Sequence, residues 1–225
     1  MPDPQRALVI ATPSLDGNVS AHYTGALVRS VGLLRQRGVH AEIHFEIGNS
    51  LIADARNKLV SRFLASGASD LVFIDADLSW QPEDLARLVA YPVPMVAGVY
   101  QRKSRTKLDF SVKFGPAIVR DAHGLMAVER VGTGFMRLRR DCLERMVAAH
   151  PHLKLRNPDD PADEHLYALF DTVVADGQFI GEDFAFCDRW RAIGGEVLID
   201  PAIAFAHHGS AAYDEPLLKY LHKTG

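Results

Sequence analysis

Across the first hundred residues, short apolar runs alternate with segments of helical period, and this rhythm leaves few architectures open. An opening strand from Ala7 to Ala11 ends at Thr12-Pro13, and a polar loop holding Asp16, Gly17 and Asn18 follows. Between His22 and Arg37, Leu27, Val31 and Leu34 recur at helical spacing, and Gly38 stops the helix. "HAEIHFE" alternates as a strand does. Leu51, Ile52, Ala55, Leu59, Val60 and Phe63 give a second helix, Ser50 to Leu64, one apolar face. "DLVFID" is a short continuous apolar run, the pattern of a strand buried on both faces. A third helix starts at Pro82, where proline suits the first turn, and "PMVAGVY" supplies the next strand. The order β-α-β-α-β-α-β predicts a mostly parallel sheet with helices on both faces.

After Tyr100 the rhythm changes. "DFSVKF", "LMAVERV" and "TGFMRLR" read as strands with no helix between them, which predicts a smaller antiparallel portion. A helix from Arg140 to His150 leads into the loop "NPDDPADEH". A hairpin, a helix from Glu182 to Ile193, the strand "EVLID" and a polar tail follow. The 225 residues contain no internal repeat or low-complexity linker, so a single α/β domain spanning 1–225 is expected.

Composition narrows the function classes. A net charge of −3 is no footprint for tight, non-specific nucleic-acid binding, although a local basic patch is compatible with it. Cys142 and Cys187 form no C-x-x-C pair, which argues against a zinc knuckle or disulfide framework and fits a reducing cytoplasm. No stretch approaches the roughly 20 apolar residues of a membrane span, and the N-terminus lacks a signal-peptide layout. A soluble, cytoplasmic protein is expected.

The chemistry concentrates where the buried strand ends. Ligands of open α/β sheets bind at the carboxyl ends of the strands, and "LVFIDADLSW" places Asp75, Ala76 and Asp77 there. Two carboxylates two residues apart can reach one hard divalent cation that leaves positions open for substrate phosphates. A bare D-x-D is common, and Asp77 could equally cap the turn before Pro82. The flanking "LVFI" and "SWQPEDL" favour the ligand reading.

Five blocks in order resemble the GT-A glycosyltransferases (Rossmann-like, DXD-containing), in particular compact family-2-like members from bacteria and bacteriophages. They are "TPSLDGNVSAHYTGALVRSVGLLRQRG", "NSLIADARNKLVSRFLASGASDLVFIDADLSWQPEDLARLV", "VAGVYQRK", "GTGFMRLRR" and "GEDFAFCDRWRAIGGEVLIDPAIAFAHHG". The resemblance covers about residues 7–210. It implies a nucleotide-binding half over about residues 1–100 and an acceptor-side half over about 101–225. It also implies transfer of a hexosyl or pentosyl group from a nucleotide diphosphate sugar, UDP favoured, to a hydroxyl acceptor. Polysaccharide, lipid-linked sugar, protein and hydroxymethylated DNA bases are the acceptor classes it leaves open.

Residue roles follow from the same resemblance. Asp77 would bind Mn²⁺ or Mg²⁺ directly, Asp75 would touch the ribose or the metal through water, and His207 would be a further metal ligand. Thr12 and Pro13 would line the base pocket, and Arg56 would point at the nucleotide, where a planar guanidinium suits a base edge or phosphate. In "QRKSRTK", Arg102 and Lys103 are the candidates for folding over the diphosphate, ahead of Arg105 and Lys107. By likeness to inverting transferases Asp183 is the candidate general base, with Glu182 holding the acceptor; a retaining transfer would leave Asp183 to substrate binding, and carboxylates opening a helix are favoured by its macrodipole whatever the function. Gly132, Thr133 and Gly134 would allow close backbone approach to the sugar. Trp190 reads as core. Closure is expected of the loops 103–107 and 157–164.

Three other readings compete. A sugar nucleotidyltransferase would want a basic, glycine-rich loop after the first strand, and "ATPSLDGNVS" has no lysine or arginine. A haloacid-dehalogenase-like phosphatase carries D-x-D on its first strand, whereas two strands precede Asp75 here. A catalytically degenerate nucleotide- or carbohydrate-binding module would not need Asp75, Asp77, Asp183 and His207 together.

Overall fold

A computed structural model describes residues 6–104, 108–116, 118–156, 163–209 and 212–224. The first half runs β1 (Arg6–Ser14), α1 (Ala21–Gln36), β2 (Val39–Ile47), α2 (Ile52–Ala65), β3 (Asp70–Ile74), β4 (Leu78–Ser79), α3 (Pro82–Ala90) and β5 (Met95–Gly98). Short strands β6 (Val112–Lys113), β7 (Met126–Val128) and β8 (Arg130–Val131) precede β9 (Phe135–Arg139) and α4 (Arg140–Ala149). The hairpin β10 (Val173–Ala175) and β11 (Gln178–Ile180) leads to α5 (Glu182–Ala192) and β12 (Val197–Asp200). The chain closes with β13 (Ala206–His208), β14 (Ala212–Tyr213) and α6 (Leu217–Thr224).

Local chemistry sets these boundaries. The Ser20 hydroxyl accepts the Tyr23 N–H at 2.9 Å and caps α1. Gly38 follows its end at φ 76°, a conformation that costs glycine least. Pro82 opens α3 in the first turn, where no N–H is needed. At the other end of α2, the Arg140 guanidinium donates to the carbonyls of Phe63, Leu64, Ser66 and Ala68, filling acceptors that the helix leaves open.

Seven strands form the central sheet in the order β2-β1-β3-β9-β5-β12-β7. β1 is parallel to β2 and β3, and β5 is parallel to β12. β9 is antiparallel to both β3 and β5, and β7 to β12. The architecture is therefore α/β with a mostly parallel central sheet, and smaller antiparallel sheets accompany it. One expectation needs correcting: "TGFMRLR" does not belong to a separate antiparallel portion but is wedged into the centre of the large sheet. Phe135, Met136 and Leu138 are all fully buried there. Arg137 also fits, because its guanidinium donates to the Val93 and Tyr91 carbonyls and sits 3.8 Å from Asp70. Burial pushes the Arg137 pKa down to about 10, against the pull of Asp70.

Helices cover both faces. Leu59 and Phe63 of α2, Cys142 and Met146 of α4, and Phe186 and Trp190 of α5 pack on one. Leu27 and Leu34 of α1 and Leu85 and Leu88 of α3 pack on the other. The two cysteines are free and buried. The tail is not simply polar, since Leu217 is buried and the Tyr220 ring lies 5.5 Å from that of Phe110. Among the described residues no helix is long and apolar enough to cross a membrane.

Gly195 turns the chain from α5 into β12 directly beneath the Trp190 indole, and a Cβ there would fall inside that ring. Trp190 is itself fixed by its Nε1–H, which donates to the Glu196 carbonyl at 2.9 Å. Gly195→Ala is therefore expected to destabilise the fold by about 1–3 kcal/mol through overpacking, read as a lower urea midpoint with an unchanged slope.

Candidate active site

The carboxyl ends of β1 and β3 lie side by side, because the two strands are parallel and in register from Leu8–Asp70 to Ala11–Phe73. The turn Asp75-Ala76-Asp77 leaves β3 at this edge, and each of its residues is pinned by a different element. Asp75 N–H donates to the Gly134 carbonyl at 2.9 Å, and the Ala76 carbonyl accepts from Ser20 N–H at 3.0 Å. The Asp77 carbonyl accepts from His208 N–H at 2.8 Å. The carboxylates are thus aimed by β9, α1 and β13 together.

Asp75 sits in a dense polar knot. Arg56, on the inner face of α2 and only 4% exposed, donates from Nη2 to Asp75 Oδ1 at 3.2 Å and from Nη1 to Glu182 at the start of α5. Burial works against the guanidinium charge, but Asp75 and Glu182 outweigh it and hold the Arg56 pKa above its ordinary value. The Tyr100 hydroxyl, 3.5 Å from Asp75 Oδ2, accepts the Gly134 N–H at 3.2 Å. Burial first, and then the Asp75 charge, push the tyrosine pKa up. A Cβ on Gly134 would collide with both Asp75 and Tyr100, so glycine is required for this backbone approach.

Asp77 faces the other way. β4 and β13 pair antiparallel with Leu78 opposite His207, which brings His207 Nε2 to 3.4 Å from Asp77 Oδ1. Lys103 donates its ammonium to Asp77 Oδ2. Desolvation opposes ionisation of Asp77, yet His207 and Lys103 prevail and draw its pKa down to about 2. The second nitrogen, His207 Nδ1, lies 2.9 Å from the Gln101 carbonyl. A carbonyl only accepts, so Nδ1 donates to it, and Nε2 is the nitrogen turned toward Asp77. A ligating imidazole is commonly oriented this way. Among the described residues no group of three or more His, Cys, Asp and Glu is spaced to hold a metal. Asp77 and His207 are instead a two-donor pair, one oxygen and one nitrogen, of a kind that suits a divalent ion whose other positions go to phosphate and water.

A cleft of about 570 Å³ opens over the turn. Pro13 to Asp16, Asn18 to Ser20, Ile52, Arg56, Asp75 to Asp77 and His207 line it. Of the residues singled out in the sequence, Pro13, Arg56, Asp75, Asp77 and His207 therefore meet in one cavity, with Lys103 bonded to Asp77. Thr12 does not line it: β1 continues to Ser14, and Thr12 is turned inward to hydrogen-bond the buried Tyr23 hydroxyl. Arg102 lies outside, 3.9 Å from Asp109 with its guanidinium 6.0 Å over the Phe184 ring. Arg105, Lys107 and residues 157–162 lie outside the described residues. Glu182, expected to hold an acceptor, is engaged by Arg56. Asp183 accepts the Phe184 N–H at 2.7 Å, and burial, with Glu182 beside it, raises its pKa. His208 bonds Ser79 Oγ at 2.8 Å and stacks on His22 with ring centroids 4.1 Å apart.

Sequence reasoning missed Tyr100 as a site residue. Its only signal was its place at the end of "PMVAGVY", on the same strand-end edge as Asp75. It likewise missed Ser20, whose backbone fixes Ala76.

No protein-family model matches the chain, and no curated protein matches it. Solved structures do. A197 from STIV superposes with a TM-score of 0.52 at 17% identity, over 91% of this chain and 86% of that one. At that identity the likeness speaks to the fold alone. The catalytic domain of Drosophila beta1,4-galactosyltransferase 7, in complex with xylobiose, matches at TM-score 0.46 and 14% identity, over 88% of this chain and 66% of that one. A glycosyltransferase involved in glycosylation of the PBCV-1 major capsid matches at 0.38 and 10%, over 70% and 72%.

Proposed function

We propose that the chain is a metal-dependent glycosyltransferase that moves a sugar from a nucleotide diphosphate donor, UDP favoured, to a hydroxyl acceptor. One observation carries this reading. Asp75, Asp77, Arg56 and His207 line a single cleft at the carboxyl edge of a mostly parallel sheet, the place where such sheets take nucleotides. The ordered motif resemblance over residues 7–210 points the same way.

In this reading the nucleotide enters between the Pro13–Ser20 loop and Ile52. Asp77 and His207 would hold Mn²⁺ or Mg²⁺, and the ion would supply Lewis-acid charge for a departing diphosphate. Lys103, already on Asp77, adds a mobile positive charge beside that leaving group. Arg56 holds Asp75 rigid, so the aspartate meets the ribose without reorganising. Asp183 takes the proton of the acceptor hydroxyl as its oxygen bonds the anomeric carbon, and the bond to the diphosphate breaks with its electron pair leaving on phosphate oxygen. Glycan, protein and modified DNA all remain acceptor classes, because specificity resides in the loops around the cleft.

A thermal-shift panel of UDP, GDP, CDP and their sugars, with and without Mn²⁺, tests the donor claim. A ligand at about 100 times its Kd adds roughly 2.7 kcal/mol, which moves a chain of this size by about 5–10 °C. The expected result is a metal-dependent shift with one nucleotide family, lost in Asp77→Ala. A folded protein that shifts with none of them overturns the proposal.

A further inference from the structure

The central sheet ends on one side in an unusually open edge. β2 is nine residues long, pairs only with β1 among the described residues, and holds its register from Val39 to Ile47 without a bulge. Its sequence, VHAEIHFEI, contains neither proline nor lysine, two of the devices that blunt an exposed edge. The opposite edge, β7, is three residues long and partly covered by a bridge from Arg120 to Met126.

We infer that β2 is a docking edge for a second copy of this chain, the two strands pairing antiparallel about a two-fold axis at Ile43. Hydrogen-bond parity permits it. Gly48 N–H donates to the Ser14 carbonyl, so even-numbered residues turn their backbone toward β1 and odd-numbered ones turn theirs outward. Ile43 is therefore an outward residue, able to exchange both of its backbone bonds with Ile43 of the second copy. One outward carbonyl, that of Phe45, accepts the Arg62 guanidinium at 3.4 Å, a long bond that a paired strand would replace.

The side chains select this register. Read about Ile43, the series His40, Glu42, His44, Glu46 is antisymmetric: each histidine meets a glutamate of the other strand. On the other face Val39 meets Ile47, Ala41 meets Phe45, and Ile43 meets itself, apolar throughout. Moving the axis to Ala41 or Phe45 shortens the overlap and keeps only one His–Glu combination, His40 with Glu42 or His44 with Glu46, so the Ile43 axis is favoured by its length and by engaging all four residues. Ile43, Phe45 and Ile47 are 40%, 37% and 61% exposed in one copy, a continuous apolar stripe. His44 Nδ1 is buried without a hydrogen-bond partner among the described residues, while Nε2 lies 3.4 Å from Glu42 of its own strand. Glu46 already pairs with Lys58 and Arg62, so the Glu42–His44 crossings carry the specificity. The two seven-stranded sheets would become one.

Sedimentation velocity over a concentration series tests this with Glu42→Lys, His44→Glu and an equimolar mixture of the two. The wild type is expected to dimerise, and each single variant to raise the dissociation constant at least about tenfold, His44→Glu by setting carboxylates opposite one another twice and Glu42→Lys by twice removing the acceptor that faces His44. In the mixture the introduced lysine of one chain meets the introduced glutamate of the other, and the native His44 meets the native Glu42, so the dimer returns at wild-type strength. That rescue also shows both variants to be folded. A wild type that stays monomeric to its solubility limit overturns the inference, as does a dimer that neither reversal weakens.

Discussion

Replacing Arg56 with methionine is expected to lower the stability of the free protein by about 3 kcal/mol, a fall of roughly 10 °C in Tm. Methionine keeps much of the packing volume, so the loss isolates the charge. Among the described residues Arg56 is the one guanidinium shared by Asp75 and Glu182, and its own side chain is 5% exposed. Without it, two carboxylates face each other across a nearly dry gap. Breaking a buried pair from one side costs about 3–5 kcal/mol. Asp75 and Glu182 retain 25% and 17% of their exposure, and the residual water sets the effect at the low end. A lysine at position 56 reaches one carboxylate but cannot fork to both, so Arg56→Lys should fall between the two. Removing the second charge as well, in Arg56→Met with Glu182→Gln, should recover part of the loss. Urea titrations of wild type, Arg56→Met, Glu182→Gln and the double variant form the cycle. An Arg56→Met variant as stable as wild type would mean that the three side chains do not meet.

How legible this was in the sequence depends on which force fixed each feature. The helices and the strands of the first half follow from period and caps, and they begin and end within a few residues of the expected places. The placement of Asp75 and Asp77 just past the carboxyl end of β3 was readable because a short continuous apolar run reads as a strand buried on both faces. β9 was not readable as a central strand, because pairing between Phe135–Arg139 and two strands far earlier in the chain leaves no local trace. Arg137 even argued against it, since nothing in the sequence shows that the Tyr91 and Val93 carbonyls satisfy its guanidinium. The same limit applied at the site. Thr12 looked like a pocket residue by position, but β1 runs on to Ser14 and leaves Thr12 buried, its hydroxyl bonded to Tyr23. Arg56 was visible as a helical arginine, yet its bond to Glu182 spans 126 positions of sequence. Tyr100 acts through a hydroxyl that meets Gly134 and Asp75, and only the folded chain brings those three together.

Asp183→Asn should separate stability from turnover, and in opposite directions. Burial, reinforced by Glu182, raises the Asp183 pKa above its ordinary 3.8, against the Phe184 N–H and Arg56. An acid whose pKa is higher folded than unfolded binds its proton more tightly in the folded state. Its favourable contribution is then full below the unfolded pKa and is lost as pH rises through the folded one. At neutral pH the ionised Asp183 therefore opposes folding. Asparagine keeps the carbonyl that accepts the Phe184 N–H and removes the charge, so the variant should melt above wild type at pH 7 and lose that advantage as pH falls toward 4. A carboxamide takes no proton from an acceptor hydroxyl, so kcat for transfer should fall by about 10²–10⁴, while the nucleotide-induced thermal shift persists. The acid limb of the wild-type kcat profile should lie above the usual aspartate range for the same reason. A gain in stability with full turnover would leave the burial argument intact and remove Asp183 from the chemistry. Loss of both stability and nucleotide binding would instead place Asp183 in the scaffold that holds Glu182 against Arg56.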